Sequence, residues 1–177
     1  EISACLVGSE MCIRDRTYPE RDCFKLHAAM VPAKEVGGDF CDVVMLDEDR
    51  LLMMIGDASG KGVGAAIFIA MARSLLRAAM GRGATPGEAL AQANDTLAAD
   101  NPTLMFATAI VAVLDCRTGV LTYANAGHNA PRRRSADGRE GEVPVDVGMA
   151  LGVMDGIDFV DMTLQLEAGD YLSLIHI

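Results

Sequence analysis

Asp39 and Asp57 each stand among glycines at the end of an apolar run, in Gly37-Gly38-Asp39-Phe40 and in Gly56-Asp57-Ala58-Ser59-Gly60-Lys61-Gly62. Carboxylates are the hard oxygen donors that small divalent cations prefer. Flanking glycines let the backbone turn tightly enough for two of them to share such a cation. The pattern is that of a metal site. A phosphate-cradling P-loop is excluded by spacing, because three residues separate Gly56 from Gly60 where that motif needs four, and Gly62 stands where it needs Ser or Thr.

Two apolar runs, Asp39 to Leu46 and Leu51 to Ile55, are joined by the polar turn Asp47-Glu48-Asp49-Arg50 and predict an antiparallel hairpin. Such a hairpin carries Asp39 and Asp57 to the same end, side by side. Upstream, Phe24, Leu26, Ala28 and Met30 alternate with Lys25, His27 and Ala29 as a half-buried strand does. Downstream, an alanine-rich helix is expected from about Gly64 to Met80, with Ile67, Met71, Leu75 and Ala78 at helical spacing and Gly81-Arg82-Gly83 as its stop. Thr85-Pro86-Gly87-Glu88 reads as a capping box opening a second helix with Ala89, Leu90, Ala93 and Leu97 on its buried stripe.

Met105 to Leu114 and Val120 to Ala126 predict another hairpin, turning at Asp115 to Gly119. Residues 132 to 148 read as a mobile, charged connection. Phe159 to Leu166 reads as a further strand, and Gly169-Asp170 as a turn feeding one more. Hairpins, then two helices, then hairpins predict an α+β domain of antiparallel sheets with helices on their outer faces.

A chain of 177 residues with 51% hydrophobic residues is one domain with a substantial core. Its longest apolar stretches are broken by Gly56-Asp57 and Arg73 and fall short of a membrane span, which points to a soluble domain. A net charge of −10 leaves no cationic excess to release counterions, so nucleic acid is not an expected partner. Five cysteines without a Cys-x-x-Cys pair or a zinc-spaced histidine read as small core residues in a reducing cytoplasm.

A third motif is Asn125-Ala126-Gly127-His128-Asn129-Ala130-Pro131. The three motifs in this order resemble the SpoIIE-like branch of the metal-dependent PPM-type serine/threonine phosphatases, over roughly residues 18 to 172. The resemblance implies a four-layer α-β-β-α sandwich with the metal site at one edge between the two sheets. It makes Asp39 and Asp57 the metal-binding and catalytic carboxylates, Asp57 bridging two Mn²⁺ or Mg²⁺ ions while the Ala58 carbonyl coordinates. Cys41 stands where the family usually has an aromatic residue, at a position expected to pack and not to coordinate.

The implied activity is removal of phosphate from phosphoserine or phosphothreonine in a bacterial signalling protein. Typically this is an anti-sigma-factor antagonist of the STAS type, with a sensor domain N-terminal to the phosphatase. A homodimer is compatible with the family, and the full protein can be cytoplasmic or tethered to a membrane. His128 is a candidate general acid or a structural histidine, and it falls where eukaryotic relatives carry an aspartate. Lys61 suits phosphate steering or plain solvation. Glu35 and Asp42 suit support of the ligands or exposure.

Two other functions fit part of the pattern. A non-catalytic regulatory module of the same fold would keep the architecture without turnover. Gly-Gly-Asp-Phe also invites comparison with diguanylate cyclases, whose turn carries an acidic residue before the Phe that is absent here. Residues 1 to 16 and 173 to 177 look like translated sequencing-adapter read-through. The domain is therefore expected at 17 to 172, cut short before the family's later Asp-Gly and terminal aspartate motifs.

Overall fold

The computed structural model describes residues 2–7, 21–29 and 37–175. Its strands are β1 (Ile2–Val7), β2 (Phe24–Ala29), β3 (Asp39–Met45), β4 (Arg50–Ala58), β5 (Ala107–Asp115), β6 (Val120–Ala126), β7 (Arg132–Arg134), β8 (Glu140–Glu142), β9 (Met162–Gln165) and β10 (Tyr171–Ile175). Helices α1 (Val63–Gly81) and α2 (Pro86–Ala99) lie between β4 and β5 in the chain. One sheet has the order β3-β4-β5-β6-β9 and the other β2-β1-β10-β7-β8.

Strand β4 shows how the layers stack. Leu52, Met54 and Ala58 belong to a core shared with both helices, while Leu51, Met53 and Ile55 belong to a second core shared with Phe24, Leu172 and Leu174 of the other sheet. A strand covered on both faces must be apolar throughout, which is why β4 reads as a continuous run. The described residues thus give a helix pair, a sheet and a second sheet: three layers of the expected α+β sandwich. No helix covers the outer face of the second sheet among the described residues. The first sheet is antiparallel throughout, but β1 runs parallel to both β2 and β10, so the second sheet is mixed.

The second helix forms as its sequence dictates. Thr85 accepts from the Glu88 amide while the Glu88 carboxylate accepts from the Thr85 amide, and Ala89, Leu90, Ala93 and Leu97 are buried. The first helix is rotated from expectation. Its buried side is Ala65, Phe68, Ile69, Ala72, Leu76, Ala79 and Met80, whereas Ile67 and Met71 are 58% and 47% exposed. Alanine on nearly every side leaves the apolar periodicity ambiguous, and an ion pair settles the rotation: Arg73 and Arg77 both reach Asp42 of β3, at 3.0 and 2.9 Å.

By length and composition alone α1 would also suffice to cross a membrane, contrary to the reading of the apolar runs as too short. Here it lies along the sheet.

Two further expectations are corrected. Residues 132 to 148 hold the hairpin β7–β8 and bury Val143, the arginines and glutamates pairing across the ladder as Arg132 with Glu142 and Arg134 with Glu140. The strand expected from Phe159 to Leu166 is confined to β9, because Phe159 turns into the helix-side core and the Asp161 carboxylate instead accepts from the Gly87 amide of α2. At the two ends, Ile2–Val7 form β1 and Ser173 to Ile175 complete β10, with Ser173 and Leu174 buried. Met30, Glu35 and Val36 lie outside the described residues.

Candidate metal centre

The hairpin of β3 and β4 pairs Asp39 directly with Asp57. Side chains alternate along a strand, so Asp57 points the same way as Ile55, and Asp39 the same way as Cys41 and Val43. All three of those residues face the second sheet. Both carboxylates therefore stand at the end of the hairpin on the side between the two sheets, and each is half-buried.

The backbone closes in beside them. The Ala58 amide donates to the Gly38 carbonyl at 2.8 Å. A Cβ added to Gly38 would lie 3.1 Å from the Ala58 carbonyl oxygen and 3.5 Å from both Asp57 Oδ1 and the Ala65 Cβ, so glycine leaves room here beside the two oxygens. Past Ala58, Ser59 pins the loop to the head of β5: its amide donates to the Phe106 carbonyl at 2.7 Å, and its hydroxyl accepts from the Phe106 amide at 2.9 Å. Gly60 and Gly62 both have φ of 88°, the left-handed conformation that turns the chain into α1.

The row of polar groups continues across the sheet. Asp57 pairs with Thr108 of β5, and the Thr108 hydroxyl is 2.8 Å from Nδ1 of His128. His128 is buried in a tight loop after β6, where its amide donates to the Asn125 side-chain oxygen at 2.8 Å and its carbonyl accepts from the Asn125 side-chain amide at 3.0 Å. Asp39, Asp57, Thr108 and His128 thus follow one another over β3, β4, β5 and the end of β6.

Two carboxylates and a carbonyl are hard oxygen donors that suit Mg²⁺ or Mn²⁺. Among the described residues, no group of three or more His, Cys, Asp or Glu side chains is gathered as a metal shell. The chemistry of the donors fits a divalent ion, and Asp39, Asp57 and the Ala58 carbonyl are the groups that would hold one.

A family model described as Stage II sporulation protein E (SpoIIE) matches residues 47–175, most of the chain. The chain belongs to the SpoIIE family. Protein IcfG of Synechocystis is 31% identical over 88% of this chain and 29% of its own length. Phosphoserine phosphatase RsbU of Bacillus subtilis is 27% identical over 88% of this chain and 46% of its own. The chain therefore spans less than half the length of either relative.

Among solved structures, the RsbU and RsbW domains of Rv1364c from Mycobacterium tuberculosis superpose with a TM-score of 0.69 at 32% identity, covering 79% of this chain and 38% of that one. The PP2C phosphatase domain of Bacillus subtilis SpoIIE, at 19% identity and a TM-score of 0.65 over 77% of this chain and 40% of that one, shares the fold. The architecture is thus that of PP2C-type phosphatase domains.

Within this SpoIIE-family domain the remaining candidates separate. Asp42 is neither exposed nor among the gathered donors: it points to the opposite face of β3 from Asp39, where it is buried against the two arginines of α1. Lys61 is exposed at the approach to α1, and Glu35 lies outside the described residues. Thr108 and Ser59 escaped the sequence reading of the site. For Thr108 the available signal was a lone hydroxyl in the apolar run Phe106 to Leu114.

Gly56 also has a role that its neighbours explain. A Cβ there would meet Phe40 Cε1 at 2.5 Å and the Thr108 carbonyl at 2.6 Å. Gly56→Ala is therefore expected to push β4 away from β5 beside Asp57, costing about 1–3 kcal/mol as overpacking does. Urea unfolding checks this: a midpoint equal to wild type would show that Phe40 yields without strain.

Proposed function

We propose that this domain is a Mn²⁺- or Mg²⁺-dependent protein phosphatase acting on phosphoserine or phosphothreonine, with Asp39, Asp57 and the Ala58 carbonyl as protein ligands of a two-ion site. The observation that carries the reading is the direct pairing of Asp39 with Asp57 beside the Ala58 oxygen. Ions bound there supply the Lewis acidity that makes a water nucleophilic at neutral pH and offset the charge of a phosphoryl group.

The chain's own part is positional. Ser59 fixes the loop that presents the Ala58 carbonyl. Gly38 leaves room beside the two oxygens. Thr108 holds the His128 ring at the end of the same row.

The substrate we infer is a phosphorylated STAS-type anti-sigma-factor antagonist, and the setting is bacterial cytoplasmic signalling under a sensor domain that precedes the phosphatase. Support comes from RsbU, a phosphoserine phosphatase by name, and from the Rv1364c structure, in which an RsbU domain shares a chain with an RsbW domain. RsbX, a fold relative at 18% identity, has been solved in complex with magnesium.

The test is hydrolysis of p-nitrophenyl phosphate and of a serine-phosphorylated STAS protein, with Mn²⁺, with Mg²⁺ and with chelator. Metal-dependent release of phosphate from both is expected. Metal binding without turnover would instead favour a non-catalytic module of the same fold.

A further inference from the structure

At the end of the sandwich remote from Asp39 and Asp57, two cysteines from different sheets meet. Cys23 immediately precedes β2, and Cys116 lies in the turn from β5 to β6. Their thiols are close enough to act on one another. Both thiols are half-buried at the rim of the core between the sheets, and both line one cleft with Asp49 and Arg117. Cys41, the other cysteine whose side chain is described, is sealed inside that core.

We propose that Cys23 and Cys116 are a redox-modification site, a dithiol that low-molecular-weight disulfides of the glutathione class oxidise to an intramolecular disulfide stapling the two sheets together. Each half of the contact is needed for the exchange. The Cys23 sulfur, as thiolate, attacks one sulfur of the small disulfide, forming a mixed disulfide and releasing one small thiol. The Cys116 sulfur then gives its proton to solvent and displaces the second small thiol from Cys23. Two protein thiols and one small disulfide become one protein disulfide and two small thiols, so electrons and protons balance.

Burial, then the neighbouring Cys23, then Asp115 and Asp49 push the Cys116 thiol up to about 12, which suits it to the second, resolving step. Asp115 pairs with Arg50 at the start of β4, and Asp57 lies near the other end of that strand. The staple is therefore roughly 20 Å along the strand from the carboxylate pair and leaves it untouched. It joins segments far apart in sequence, where a cross-link restricts the unfolded chain most.

The test is to equilibrate the native chain with glutathione disulfide, alkylate the remaining thiols, digest without reductant and map linked peptides by mass spectrometry, with thermal unfolding of the same samples. Expected are a Cys23–Cys116 linked peptide and a Tm higher by roughly 5–10 °C, both reversed by dithiothreitol and both absent in Cys116→Ser. The wild-type mapping stands even if that variant folds poorly. Full alkylation of both cysteines after oxidation, capture of Cys23 by another cysteine, or a linked peptide with no rise in Tm would each overturn the proposal.

Discussion

Asp57→Ala is expected to abolish the calorimetric Mn²⁺-binding signal of the domain and to reduce phosphatase turnover by a hundredfold or more, while the circular dichroism spectrum stays that of the wild type. The carboxylate sits between Asp39 on one side and Thr108 on the other, with the Ala58 oxygen following it, so its removal takes away the donor that the others surround. A site that loses its central ligand forfeits the charge stabilisation on which phosphoryl transfer depends, an effect of several kcal/mol on the barrier. The same geometry yields a second, opposite readout. Two carboxylates placed directly across from each other on neighbouring strands repel, by about 0.2–1 kcal/mol in comparable pairs. Asp57→Asn should therefore raise the unfolding temperature in chelator while lowering metal affinity. Retention of more than about a tenth of the wild-type rate in Asp57→Ala would contradict its place at the centre of the proposed metal site.

The largest loss of stability is expected from Arg73→Met combined with Arg77→Met. The Asp42 side chain has 0% exposure, whereas its partners on α1 retain 24% and 47%. Removing the arginines takes both guanidinium groups from a buried carboxylate, at about 3–5 kcal/mol. Removing the carboxylate instead, by Asp42→Asn, leaves two guanidinium groups that can turn toward water, so the cost falls to about 1–2 kcal/mol. Urea unfolding of both variants measures the order directly. Equal losses would show that the arginines, and not the buried aspartate, carry the desolvation penalty. Because α1 follows the Gly60–Gly62 loop that leaves the site, the double variant should also shift the Mn²⁺ titration midpoint.

What the sequence revealed, and what it hid, follows from the kind of signal each residue carried. The meeting of Asp39 with Asp57 was readable because an antiparallel hairpin with a clear polar turn has only one way to pair its ends. Helix α2 was readable because Thr85 and Glu88 mark its start and alanine and leucine mark one side. The rotation of α1 was hidden, since Ile67 and Met71 are as apolar as Phe68 and Leu76, and the deciding contact is an ion pair with a residue far away in sequence. The β7–β8 hairpin was masked for a similar reason: its arginines and glutamates stabilise a ladder only when they face one another, and as a run they look like a solvated linker. The Thr108–His128 contact needed the register of β5 against β6, and the meeting of Cys23 with Cys116 needed the packing of one sheet on the other. Neither leaves a mark in local spacing.

The two paired carboxylates belong to strands of unequal stiffness. Strand β4 is walled in by β3 and β5 and by a core on each face, while β3 forms the margin of its sheet among the described residues and begins at Asp39 itself. Backbone amides around Asp57 are thus tied into the part of the molecule that opens only with the whole, and those around Asp39 into a part that can loosen alone. A force applied to the segment before β3 would swing one oxygen donor away from a fixed counterpart. Past that first residue the strand is held by Phe40 in one core, by Cys41 and Val43 in the other and by Asp42 against α1, so the freedom stops at Asp39 itself and the spacing of the pair is set by one residue's backbone.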